Sequence, residues 1–97
     1  MEITRIKADG TTGQSTPRDA ELLSKAQALI EKDPHFQALK APILSRAEAN
    51  AGEQETEAGY LYLRYDVPGS TPQEFWAHWG AHDRVAWKSG QVTVKAG

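Results

Sequence analysis

Alanine supplies 14 of the 38 apolar residues in this 97-residue chain. An alanine hides little area when buried, so any core must come mainly from the remaining 24 larger side chains. The three tryptophans, three tyrosines and two phenylalanines therefore weigh heavily in whatever fold forms. A chain of this length makes one domain, residues 1–97, and is too short for a comfortable second.

Charge and cysteine content remove several classes of function. Eleven Lys and Arg stand against thirteen Asp and Glu, a net charge of −2. Such a balance lacks the basic excess of a nucleic-acid-binding surface. With no cysteine there is no disulfide framework, no thiolate nucleophile and no zinc–thiolate site. No apolar run approaches the ~20 residues of a membrane span. Met1-Glu2-Ile3-Thr4-Arg5-Ile6-Lys7 lacks the apolar stretch of a secretory signal. The expectation is a soluble, cytoplasmic domain that touches neither membrane nor nucleic acid.

Residues 3–7 read as a short strand and residues 8–15 as a loop. Thr16-Pro17 starts a helix, with the threonine as N-cap and the proline at the first helical position. Asp19 in the first turn faces the positive end of the helix dipole. Leu22, Leu23, Ala26, Leu29 and Ile30 form its apolar stripe. Asp33-Pro34 repeats the start signal, and Phe36, Leu39, Ile43 and Ala47 fall on one helical face. Pro42 interrupts this second helical stretch, which the spacing carries on to Asn50-Ala51-Gly52. An acidic stretch over 52–59 reads as a flexible connection.

Tyr60 to Val67 is the strongest strand pattern. Leu61, Leu63, Tyr65 and Val67 point one way and Tyr60, Tyr62, Arg64 and Asp66 the other. Thr71-Pro72-Gln73-Glu74 has the form of a capping box. It predicts a third helix that gathers Phe75, Trp76, Trp79, Ala86 and Trp87 on one broad face and closes at Ser89-Gly90. A last strand follows over 91–95. The expected architecture is an α+β (or α/β) domain of order β-α-α-β-α-β, a three-stranded sheet packed by helices.

Two constellations carry possible chemistry. On a helix, Glu74, His78 and His82 advance by ~40° per step and share one side, a spacing that can present two imidazoles and a carboxylate to a divalent metal. The His-Glu-x-x-His signature is missing, and His82 also fits as a hydrogen-bonded core residue. The second constellation is aromatic. Trp79 is central in the stripe and reads as core, whereas Trp76 and Trp87 lie at its edge and are open to a partner. Tyr60, Tyr62 and Arg64 share a strand face, which either packs under a helix or forms an aromatic platform. No phosphate loop and no Gly-x-Ser-x-Gly elbow is present.

The run Pro68-Gly69-Ser70-Thr71-Pro72-Gln73-Glu74-Phe75-Trp76-Ala77-His78-Trp79 resembles the strand-to-helix segment of EthD-type dimeric α+β barrel proteins, with strand Tyr60 to Val67 before it. The family's histidine would fall on Asp83, and His82 stands one residue early. A long helical segment also precedes the match where that family usually starts. The resemblance implies a homodimer with a cavity under the sheet that holds a small organic ligand.

These features point first to a non-enzymatic protein-interaction module, a regulator, inhibitor or adaptor, that meets another protein or a second copy of itself through Tyr60, Tyr62, Arg64, Trp76 and Trp87. No cofactor is expected on this reading. The alternative is a small-molecule- or metal-binding protein of the dimeric barrel type, centred on His78 and His82 with Glu74.

Overall fold

The computed structural model describes residues 3–7, 9–50, 59–80 and 84–87, with residue 80 and residues 84–87 described by their backbone alone. Its elements are β1 (Ile3–Ile6), β2 (Thr12–Gly13), α1 (Pro17–Glu31), α2 (Pro34–Gln37), β3 (Ile43–Asn50), β4 (Gly59–Asp66), β5 (Gln73–Gly80) and β6 (Arg84–Trp87). The strands form one mixed sheet in the order β2-β1-β3-β4-β5-β6. The pair β1–β3 is parallel and the other neighbours are antiparallel. The molecule is a small α+β domain, but neither the order β-α-α-β-α-β nor a three-stranded sheet describes it. No helix among the described residues is long and apolar enough to cross a membrane.

The first third of the chain follows its local signals. Thr16 caps α1, its side chain accepting from the Asp19 amide at 3.2 Å while the Asp19 carboxylate accepts from the Thr16 amide at 3.0 Å. Asp19 does more than face the dipole. It is fully buried, and its other oxygen takes Arg5 Nη1 at 2.6 Å, which ties the helix start to β1. Leu22, Leu23, Ala26 and Ile30 are buried against the sheet, and Leu29 remains 40% exposed. The expected loop 8–15 instead turns back as a hairpin, with β2 pairing on β1.

The continuation of the second predicted helix, and the whole described part of the third, are strands. The stretch expected to continue as helix beyond Pro42 is β3. Lys40 and Ala41 both take positive φ, 55° and 50°, which no helix tolerates in succession, and the chain leaves them extended. A bulge in β3 hides its strand period. Leu44 pairs with Tyr65 but Arg46 already pairs with Arg64, so Ser45 is an extra residue. Leu44 therefore joins the core side with Ala47 and Ala49, an odd–even mixture that no strict alternation displays. Ser45 Oγ donates to the Arg64 carbonyl at 3.1 Å and bonds Asp66 at 3.2 Å, which secures the bulge.

The predicted third helix is β5 followed by β6. The Thr71 capping box does not form, and the Gln73 amide donates to the Thr71 carbonyl instead. Phe75, Ala77 and Trp79 are buried at 0, 0 and 3% exposure, while Glu74 and Trp76 are half-buried and His78 is exposed. That is a period of two. Because Trp76 is an outward tryptophan, the stretch looks apolar on both parities and imitates a helical stripe. The acidic connection (apart from Gly59, which opens β4), His82 and the predicted strand 91–95 lie outside the described residues.

The core is the single layer between the helices and one sheet face, where α1 lies over β1, β4 and β6. Phe36 of α2 meets Tyr65 and Phe75 edge-on, with ring centroids 4.9 and 5.9 Å apart, and Tyr65 and Phe75 are 5.5 Å apart. Gly59 stands opposite Trp79, and any Cβ there would run into the Asn50 carbonyl and the Trp79 indole. The absent side chain lets the indole lie down over the strand.

Candidate functional site

Cross-strand register places side chains on the face away from the helices. Directly opposed residues share a face. The pairs Ile6–Asn50, Glu48–Tyr62, Asn50–Tyr60, Tyr62–Trp76, Tyr60–His78 and Arg64–Glu74 therefore line up on one side of four adjacent strands. Ala47, Ala49, Leu61, Leu63, Phe75 and Ala77 take the other side, in the core. Among the described residues no helix packs on the first of these faces.

Trp76 sits between two tyrosines. Its ring centroid is 5.1 Å from Tyr60 and 5.1 Å from Tyr62, tilted by 59° and 50°. His78 continues the row, 6.4 Å from Tyr60. Such tilted contacts favour the edge-and-face packing that aromatic quadrupoles prefer. Tyr62 is only 4% exposed although it points away from the helices, because its neighbours close over it. Burial raises its hydroxyl pKa above the ordinary value, and the hydrogen bond and charge of Glu74 raise it further. The Tyr62 phenol is therefore a neutral donor at physiological pH.

Charged groups frame the rings. Arg46 Nη2 meets Glu48 Oε1 at 3.0 Å, and the same guanidinium lies 6.0 Å from the Tyr62 ring centroid. Arg64 and Asp66 approach to 4.0 Å. Between the strands, Ile6, Glu48, Asn50, Tyr60, Tyr62 and Trp76 line a cleft of ≈ 110 Å³.

Tyr60, Tyr62, Arg64 and Trp76 thus share one surface, which the helical reading of residues 71–89 had split between two elements. Trp79 is in the core. Trp87 is placed by its backbone pairing with Ala77, and its side chain lies outside what is described. The metal spacing depended on a helix. On β5, Glu74 and His78 are four strand positions apart, about 13 Å along the chain. His82 lies outside the described residues, and among those described no three His, Asp or Glu side chains come close enough to hold a metal ion.

Arg46, Glu48, Asn50 and Ile6 belong to this surface without having been singled out. The alternation of Ala47 and Ala49 with Glu48 and Asn50 was the available signal, and the bulge at Ser45 broke it before it grew long enough to recognise. Comparison with family models, with curated proteins and with solved structures finds no match for the chain.

Proposed function

We propose that the protein is a non-enzymatic interaction module whose working surface is the outer face of the sheet, with Tyr60, Tyr62, Arg64 and Trp76 as its contact residues. One observation carries this reading: the Tyr60–Trp76–Tyr62 cluster stands on the side of the sheet opposite the helices. Tyrosine, tryptophan and arginine are the residues that dominate binding energy at protein interfaces. A core short of large side chains gains nothing by turning a tryptophan outward.

The test is binding of a partner identified by capture and then titrated as a purified protein. Trp76→Ala is expected to weaken that binding at least about tenfold, or 1.4 kcal/mol, while the cooperative melt persists. Leu29→Ala, on the exposed side of α1, should leave affinity unchanged. A partner that binds the Trp76→Ala chain as well as the wild type overturns the proposal.

The placement of both helices on one sheet face favours a second reading, a homodimer closed through the two outer faces in the manner of a dimeric α+β barrel with a small ligand between. The segment behind the EthD resemblance runs strand to strand here rather than strand to helix, so this reading rests on the sheet layout. Sedimentation equilibrium decides it: a dimer mass for the wild type and a monomer mass for Trp76→Glu are expected. A wild-type monomer at all concentrations refutes it.

A further inference from the structure

The cleft on the outer face joins two kinds of group that together select one ligand chemistry. Tyr60, Tyr62 and Trp76 line it together with Ile6 and with two polar residues, Glu48 and Asn50. Aromatic faces attract a cation through their quadrupole, and an alkylated ammonium loses less hydration than a bare one when it leaves water. The cleft of ≈ 110 Å³ is several times the roughly 10–15 Å³ of such space that one water needs, which leaves room for a small organic head group.

The chain already shows this preference with its own cation. Arg46 reaches from a largely exposed position, 58% open, to pair with Glu48 and lie against the Tyr62 ring. Exposed ion pairs contribute little, so a better-fitting cation can displace Arg46 at small cost. Glu48 is far less open, at 14%, and stays as the fixed anion.

We infer that the cleft bounded by Tyr60, Tyr62, Trp76 and Glu48 binds the head group of an organic ammonium ion, free in solution or carried on a methylated lysine side chain. This deepens the reading of the outer face as the working surface and rests on it.

Titration of the full chain with tetramethylammonium chloride, followed by backbone amide NMR against a sodium chloride control of equal ionic strength, tests the inference. Saturable shifts are expected at Ile6, Glu48, Asn50, Tyr60 and Tyr62. Glu48→Gln keeps the shape and should weaken binding about tenfold; Arg46→Ala removes the competing cation and should tighten it several-fold. A parallel titration with N-acetyl trimethyllysine amide separates the sources. Tighter binding than tetramethylammonium assigns the head group to a partner's side chain, and equal or weaker binding assigns it to a free small molecule. Shifts no larger than the salt control, or equal binding by Glu48→Gln, overturn the inference. Should the ammonium fail while Trp76→Ala still abolishes partner binding, the outer face remains the working surface and only its ligand chemistry is wrong.

Discussion

At Asp19 a fully buried carboxylate accepts from Arg5 Nη1 and from the Thr16 amide, while the Asp19 backbone amide donates to the Thr16 hydroxyl oxygen in the reciprocal cap. Removing one partner of a buried pair strands the other charge, at about 3–5 kcal/mol. Arg5→Met is therefore expected to lose about 3 kcal/mol in urea unfolding, and adding Asp19→Asn should recover part of it by removing the stranded charge. Tyr65 presents the opposite case. Its ring packs in the core, but its hydroxyl, near the Gln27 side chain, makes no well-formed hydrogen bond among the described residues. Burial, with the Glu31 carboxylate adding to it, pushes the hydroxyl pKa up to about 12. The folded chain then keeps this proton where the unfolded chain, titrating near its ordinary value of 10, has lost it. Stability from this group is complete below pH 10 and falls as pH rises towards about 12, by the order of 2 kcal/mol. Tyr62 moves in the same direction. Tyr65→Phe should leave stability at neutral pH equal or higher and flatten the alkaline loss, measured as unfolding free energy against pH.

Among the elements, β3 depends on its bulge. Ser45 is the residue that lets Leu44 enter the core while Arg46 reaches the outer face. Ser45→Ala keeps the chain length and loses only the hydrogen bonds to Arg64 and Asp66, so a cost of about 1 kcal/mol is expected. Deleting Ser45 is a different matter. Joining Leu44 to Arg46 restores strict alternation and keeps the pairs Leu44–Tyr65 and Arg46–Arg64 on their present faces, so the deletion chain should keep its cooperative thermal transition. If the deletion chain loses that transition, the bulge itself, and not the pairing on either side of it, holds β3 in place. The same element explains the mistaken helix. Ser-Arg-Ala-Glu-Ala has good intrinsic helical propensity, yet it is held as a strand between β1 and β4, which need its hydrogen bonds.

Over the whole molecule, the sheet separates two aromatic sets by parity. Phe75 is sealed at 0% exposure, and Phe75→Ala should cost about 4 kcal/mol, a large share of the total stability of so small a domain. Trp76, the next residue, faces the other way, and Trp76→Ala should cost about 1–2 kcal/mol and leave the same fold. Comparable losses at both positions, read from denaturant midpoints, would mean that the outer cluster is a second core. The local chemistry of residues 16–34 was sufficient to define α1 and to start α2, because a cap, a proline at the first helical position and an apolar stripe act over a few residues, but it carried the second helix to Asn50 where α2 stops at Gln37. The Tyr60–Asp66 strand was equally plain from its alternation, and so was the common face of Tyr60, Tyr62 and Arg64. Tertiary pairing decided the rest. Residues 43–50 and 73–80 become strands since β4 requires a neighbour on each side, and only that pairing brings Glu48, Asn50 and Trp76 alongside the tyrosines. Short-range patterns carry the energy of a turn or a cap. The choice between helix and strand for a chain that is apolar on both faces is made by long-range hydrogen bonding and burial, which no window of neighbouring residues contains.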